Sequence, residues 1–365
     1  MSETAITVLG EEMLAYADAQ EDPAVAAEIR SAMARAHRYA RSAKAEGTKR
    51  VYRSAWRQYA GWCSRLGFDP LSGDPDIVRL YIASAAETRA ASTLDVHLSA
   101  IAQAHRLAGR TLDTKDPRIA HVMEGLRRSQ ARRDKRQATP ITPEGLRSMI
   151  AAQPDSDLGL RNRAILAVGF GGALRRSEIA DLDLEDVEWV DQRGIVLHIR
   201  RSKGDQEGEG AAVAIVYAGD ADICAVRHLA RWIERRAQQI AGDCDAAGRQ
   251  PLFTRFAKGD RAKPGRIGGG LINRLIKETA EGIGLNDAAL AHAYAPAIGQ
   301  GAGHSRFSSH SLRAGLLTAA AEKGVALHDI MRHSRHQDVE TARGYMRSAE
   351  IWLNNPSAAV LRPSR

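Results

Sequence analysis

The stretch RRSQARRDKRQATPITPE, residues 127–144, decides how this chain is read, because it separates two different rhythms of sequence. It is basic, polar and closed by two prolines, the composition of an exposed linker between domains. These residues alone fit a merely solvated connection as well as one that crosses a charged partner. On its N-terminal side, helix signals follow one another. AVAAEIRSAMARAHRYARSA (24–43) is an alanine-rich helix, and GTKRVYRSAWRQYAGWCSRL (47–66) puts Val51, Ala55, Trp56, Tyr59 and Trp62 on one apolar face. Asp74-Pro75 supplies an N-cap and an N1 proline for a third helix to about residue 87. Ser92 reads as the cap of a fourth, TLDVHLSAIAQAHRLAG, and Asp116-Pro117 opens a fifth. The run predicts an all-helical domain over 24–130. Residues 1–23 lack a strong pattern and are expected to form a mobile arm, and the linker is placed at 131–141.

On the C-terminal side, Thr142-Pro143-Glu144 starts a new helix and DLGLRNRAILAVGFGGA (157–173) makes another. After LRRSEIADL the rhythm changes. GIVLHIR (194–200) and AAVAIVY (211–217) are strand-like and enclose RSKGDQEGEG, a hairpin with a glycine-rich tip. Helices resume at about 220–241, 267–282, 311–323, 325–333 and 338–346, and SAEIWLNNPSAAVL closes the chain as an amphipathic piece. The expected fold is mostly α in two domains, the second (142–347) α-rich with a small β-hairpin or sheet and followed by a C-terminal segment, 348–365. No internal repeat is seen.

Composition agrees with this plan. A chain of 365 residues exceeds one core of typical size. Aromatics are only 5% and alanine is abundant, so helices packed through alanine and leucine are expected rather than a β-sandwich. The net charge of +8 suits a polyanionic partner. Cys63, Cys224 and Cys244 are odd in number and far apart, which argues against a disulfide framework or a cysteine zinc site. The opening MSETAITVLGEEML is acidic, with no basic-then-apolar leader, and no run reaches the ~20 apolar residues of a membrane span. A cytoplasmic protein is expected, in a bacterium near the nucleoid.

Four clusters carry candidate chemistry. Arg175 and Glu178 stand at i, i+3, so the carboxylate can hold the guanidinium in place; alone the pair reads as a surface ion pair. Lys203 sits at the hairpin tip, where a flexible ammonium can reach a leaving oxygen. His310 and Arg313 open a helix at the same i, i+3 spacing, and a helix N-terminus favours phosphate. Residues 333–347, HSRHQDVETARGYMR, hold His333, His336 and a lone Tyr345. With His328 these histidines suggest a metal, but no HExxH or carboxylate pair accompanies them.

The order Arg175, Lys203, His310-x-x-Arg313, His336, Tyr345 resembles the tyrosine recombinase (phage integrase) family, which carries Arg, Lys, His-x-x-Arg, His or Trp, and a nucleophilic Tyr in that sequence. The spacing of nine residues selects His336 over His333; whether His333 shares its role stays open. The Leu-Gly-His-Ser usual before that position is replaced, since Arg332 to Arg335 read RHSR. YRSAWRQYAGWC, DPDIVRLYIA and the fourth helix are similar to the family's core-binding (SAM-like) domain, and PLFTRFAKG with RIGGGLINRLIKETAEGIG to its catalytic domain.

The resemblance implies a site-specific DNA recombinase that clamps duplex DNA carrying an inverted-repeat site. By the same resemblance it would act as a homotetramer on two synapsed sites, be monomeric when free, and need no metal, ATP or other cofactor and no membrane. Two arginines, Arg175 and Arg313, would hold the scissile phosphate, His310 would accept the proton of Tyr345, Lys203 would protonate the leaving 5′ oxygen, His336 would hydrogen-bond the phosphate, and Glu178 would brace them. The product of cleavage would be a 3′-phosphotyrosyl link. Candidate DNA contacts are Lys49, Arg50, Arg53 and Arg57 on one helix, His97, Gln103 and Arg106 on another, and Arg266 and Arg274 on the helix that resembles the family's recognition helix. Ile351, Trp352 and Leu353 would dock on a neighbouring subunit. The alternative is a regulatory DNA-binding protein that keeps the fold without strand exchange.

Overall fold

The computed structural model describes residues 16, 18–20, 22–42, 46–130, 138–200, 210–239, 244, 248–257, 259–285, 307–340 and 342–344. Lys203, Tyr345 and the segment 348–365 lie outside them, as do residues 1–15 of the arm and 131–137 of the linker. The chain divides into two compact units, Met1–Lys135 and Arg136–Arg365, and the described secondary structure is mostly helical. Among the described residues no helix is long and apolar enough to cross a membrane.

The first unit consists of α1 (Pro23–Ser42), α2 (Glu46–Leu66), α3 (Pro75–Ala85), α4 (Ala91–Leu107) and α5 (Pro117–Gln130). The Asp74 carboxylate caps α3 by accepting the N–H of Asp76 at 2.8 Å. Ser92 does not cap α4. That helix starts two residues earlier, after Ala90, which offers no side-chain cap. Gln130, at the far end of α5, serves instead: its Oε1 accepts the Ala91 N–H at 2.8 Å and its Nε2 donates to the Arg89 carbonyl at 3.0 Å. A donor exposed by the helix start is met from a distant part of the chain, which no local motif announces. Helix α2 packs on α4 and α3 on α5. Aromatics cluster in its core: Tyr59 and Tyr81 meet edge to face at 5.1 Å, with Trp56, Trp62 and Phe68 around them.

The second unit contains α6 (Pro143–Ala151), α7 (Asp157–Gly171), α8 (Arg176–Asp181), β1 (Val187–Val190), β2 (Gly194–Ile199), β3 (Ala211–Val216), α9 (Ala225–Gln239), β4 (Thr254–Ala257), β5 (Arg261–Arg266), α10 (Gly269–Gly282), α11 (Ser309–Glu322) and α12 (Leu327–Ser334). Helix α7 is the hub, buried from Ala164 through Val168 and packed by α6, α9 and α11. Ser156 caps it, and the Asp260 carboxylate accepts the N–H groups of Asp157 and Leu158 at 2.7 and 2.8 Å. Strands β1-β2-β3 form an antiparallel sheet, with Ile195 opposite Ile215 on its buried face. Strands β4 and β5 pair antiparallel. Sequence periodicity finds β2 and β3 but misses this second pair, because RAKPGR carries a proline and a glycine that argue against a strand.

Two glycines bring α11 against its neighbours. A Cβ on Gly315 would lie 2.0 Å from the Ile141 carbonyl oxygen, and one on Gly169 would lie 2.8 Å from Leu312. The Ile141 N–H also donates to the Ser311 carbonyl at 3.1 Å. The first turns of α11, carrying His310 and Arg313, are thereby fixed to the segment that leads into α6 and to the end of α7.

Candidate active site

Helix α7 ends at Gly171, and the chain turns through Ala173, whose φ of +46° is left-handed, into Arg175 at the start of α8. Glu178 folds back on that start. Its Oε2 accepts the Arg175 N–H at 2.8 Å, half of a capping box, and its Oε1 accepts Arg175 Nη1 at 2.7 Å. One carboxylate therefore fixes both the backbone and the guanidinium of Arg175. The Glu178 side chain is only 1% exposed, against 20% for Arg175. The pair, which its spacing alone left as a surface ion pair and the family resemblance made a braced arginine, is a buried carboxylate holding a partly open guanidinium.

A third residue completes this group. Arg335 Nη2 donates to Glu178 Oε2 at 2.8 Å and to the Ala173 carbonyl at 3.3 Å, and its Nη1 donates to the His333 carbonyl at 3.0 Å and to the Gly172 carbonyl at 3.3 Å. Burial pushes the Glu178 carboxyl up, but Arg335, the Arg175 N–H and the Arg175 guanidinium outweigh it and hold the group below the usual carboxylate range. Arg335 ends α12 in the left-handed conformation, φ +60° and ψ +41°, where glycine is the usual residue. An L side chain there costs about 1–2 kcal/mol, offset by its buried hydrogen bonds.

Arg313 is fully buried, yet both terminal amines point to this group. Nη1 donates to the Ala173 carbonyl at 2.7 Å, so the same oxygen receives Arg313 and Arg335. Nη2 donates to His336 Nε2 at 3.1 Å. On the other side of the ring, His336 Nδ1 lies 2.8 Å from Ser334 Oγ, which donates in turn to the Met331 carbonyl at 3.4 Å. These contacts assign the proton to Nδ1. Burial first, then the charges of Arg313, Arg175, His310 and Arg335, push the His336 pKa down to about 3, so the imidazole is neutral near pH 7. His333 turns elsewhere: its Nε2 donates to the Gly171 carbonyl at 2.8 Å, and burial lowers its pKa as well. His310 is exposed in the first turn of α11, one turn before Arg313, its N–H capped by Ser308 Oγ at 3.2 Å.

The structure thus gathers Arg175, Glu178, Arg313 and His336 in one linked set, with His310 beside them. Lys203 and Tyr345 lie outside the described residues. Arg335, Ser334 and the Ala173 carbonyl escaped the sequence reading. The signal for Arg335 was an arginine in the glycine position of a helix end, immediately before His336. Chemically, two guanidiniums share the Glu178 carboxylate and a third, Arg313, shares the Ala173 carbonyl with Arg335, with the partly open Arg175, the exposed His310 and a neutral histidine at the margin. Such an arrangement suits an anionic group with several acceptor oxygens.

Two placements foreseen from sequence are corrected. His97 does not face a partner: it is 4% exposed and its Nδ1 bonds the Tyr81 hydroxyl at 2.7 Å within the aromatic core. Arg266 lies at the end of β5 rather than on α10, and its guanidinium donates to the carbonyls of Ala180 and Leu182 and to Asp183. The buried Asp183 also pairs with Arg200, which follows β2. Arg266 therefore ties α8 to the sheets. Arg50, Arg53, Arg57, Arg106 and Arg274 are exposed; Lys49 and Gln103 are half-buried.

Comparisons with known proteins follow the same outline. The model of the phage integrase family matches residues 140–350. An integrase/recombinase XerD homolog of Selenomonas ruminantium is 29% identical over 325 residues, covering 88% of this chain and 87% of that protein. The recombinase Cre of Escherichia phage P1 is 24% identical over 327 residues, covering 88% and 89%. Among solved structures, a lambda integrase dimer bound to a COC′ core site covers 87% of this chain and 94% of its own, with TM-score 0.51 and 15% identity. That last likeness is one of fold.

Proposed function

We infer, since the chain belongs to the phage integrase family of tyrosine recombinases, that it is a site-specific DNA recombinase acting through a covalent protein–DNA link. The observation that carries this reading is the convergence of Arg175 and Arg313 on the frame of Glu178 and the Ala173 carbonyl, with His336 held on Arg313. The relatives' names, a recombinase and an integrase/recombinase homolog, support the same activity.

In this reading a phosphodiester enters beside Arg175 and takes over Arg313 Nη2 from His336. The two guanidiniums stabilise the charge that grows on the nonbridging oxygens, a task that needs donors already in place. Tyr345 Oη attacks phosphorus and passes its proton to His310, while the P–O5′ bond breaks and the leaving oxygen takes a proton from Lys203. A 3′-phosphotyrosyl ester results, and attack by a second 5′ hydroxyl reverses the steps. One ester replaces another, so neither ATP nor a divalent metal is required.

For His336 to donate to the phosphate, its proton must move from Nδ1 to Nε2. Ser334 can serve this change, because its hydroxyl can turn from Met331 and donate to Nδ1. The exposed Arg50, Arg53, Arg57, Arg106 and Arg274, with Lys49 and Gln103, are proposed DNA contacts, most of them to phosphate. His97 and Arg266 are not among them. The core-binding role of the first unit, a tetramer on two sites, docking of the 348–365 segment on a neighbour and a cytoplasmic location near the nucleoid belong to the same proposal.

The test is strand exchange. Inverted repeats from the DNA flanking the coding region, placed on two duplexes, are expected to recombine in the presence of EDTA and without ATP. DNA that is bound but never exchanged or cleaved would favour the alternative, a DNA-binding protein of this fold without strand exchange.

A further inference from the structure

The geometry points to Arg335 as a positioning residue that sets both phosphate-binding arginines at once. This rests on the reading of Arg175 and Arg313 given above. Three features support it. The guanidinium of Arg335 bridges Glu178 Oε2, whose carboxylate holds Arg175, and the Ala173 carbonyl, which receives Arg313. Its side chain is only 9% exposed, and its terminal amines are directed at protein acceptors, so it acts through its neighbours rather than on the substrate. It also occupies a left-handed position that would suit glycine better, immediately before His336.

The bridge has a mechanical consequence. Arg175 stands at the start of α8, and Arg313 lies within α11. Each guanidinium reaches one of the two groups that Arg335 spans, Arg175 the Glu178 carboxylate and Arg313 the Ala173 carbonyl, so the separation of the two forks is fixed by one planar group of defined width. A lysine cannot reproduce that span, because an ammonium is a single point of charge. Removing the bridge leaves Glu178 with Arg175 and Ala173 with Arg313, each pair intact but no longer tied to the other. Substrate affinity, set by many phosphate contacts, should barely change, while the alignment needed for attack is lost.

The left-handed backbone makes the test clean, since Arg335→Gly removes the side chain without adding strain. Nicked duplexes recovered from a randomised library by covalent capture on the unsubstituted chain serve as the probe. Arg335→Gly is expected to form the covalent adduct on the order of 100-fold more slowly, the effect of a misplacement of about 1 Å. Its affinity for the same duplex should remain within about twofold, because phosphate contacts elsewhere carry binding. Added guanidinium should restore much of the rate in Arg335→Gly, and Arg335→Lys should stay slow. A rate equal to that of the unsubstituted chain, or a loss of binding in step with cleavage, would overturn the proposal. If Arg335→Gly fails to fold, Arg335→Asn, which tolerates the same backbone, replaces it.

A crystal structure of Arg335→Gly soaked in inorganic phosphate decides the claim without any DNA reaction. Arg175 and Arg313 displaced relative to one another support it, and both guanidiniums unmoved overturn it. Failure of the unsubstituted chain to capture DNA would count against the recombinase reading and leave this structural comparison to decide the role of Arg335.

Discussion

Arg313→Ala is expected to slow formation of the covalent adduct by about 10³-fold, the scale seen when a charged donor to a transition state is removed. The side chain is fully buried, and its Nη2 is the donor that a phosphate would take from His336. Arg313→Lys should recover little, because a lysine ammonium lacks the fork that now joins Ala173 and His336. A second readout separates this effect from misfolding. Burial, followed by the charge of Arg313, holds His336 at about 3, so removing Arg313 should move its titration upward, toward the ordinary value near 6.5.

A histidine with a depressed folded pKa contributes stability that is present above the unfolded pKa and is lost as pH falls through the window below it. Urea midpoints of the unsubstituted chain should therefore fall as pH drops from about 6.5 toward 3, and His336 should contribute less to that fall in Arg313→Ala. An imidazole resonance of His336 that titrates unchanged in the variant would contradict the contact.

Gly315→Ala is expected to destabilise the second unit by about 3 kcal/mol, at the upper end of overpacking costs. The new methyl would lie 2.0 Å from the Ile141 carbonyl oxygen and 2.9 Å from Phe170 Cε2. The first is backbone, and it cannot swing aside, because the Ile141 N–H is bonded to the Ser311 carbonyl on the same helix. The transition of this unit should fall by roughly 6–12 °C, from about 2–4 °C per kcal/mol at this size. Since α11 carries His310 and Arg313, a shift of the helix should also slow cleavage in material that still folds. An unchanged melting temperature would mean that α11 and the Ile141 segment separate more easily than their hydrogen bond implies.

Much of the fold was legible because its helices announce themselves. Asp74-Pro75 and Thr142-Pro143 cap and start α3 and α6 as their residue types dictate. What escaped was set by tertiary contact. Gln130 caps a helix some forty residues away in sequence, and β5 forms despite Pro264 because its partner β4 lies beside it. For the candidate site, i, i+3 spacing offered Arg175 with Glu178 and His310 with Arg313 only as weak pairs, and the resemblance of their order to the family's is what brought them forward together with His336. The reach of Arg335 to Glu178 leaves no such trace, for 157 residues separate them and only the fold brings them together. His97 and Arg266 misled for the opposite reason: polar side chains on helical or basic stretches look exposed until Tyr81 and Asp183 claim them.

The central claim is that this site breaks a phosphodiester with Tyr345 and no metal. It is tested most directly by incubating the full chain with the captured nicked duplex in EDTA, denaturing the mixture, and mapping the DNA-linked peptide by mass spectrometry. The account predicts a covalent adduct carried by Tyr345 and absent from Tyr345→Phe, which still binds the duplex. An adduct that survives Tyr345→Phe, maps to another residue, or forms only when a divalent metal is added would contradict it.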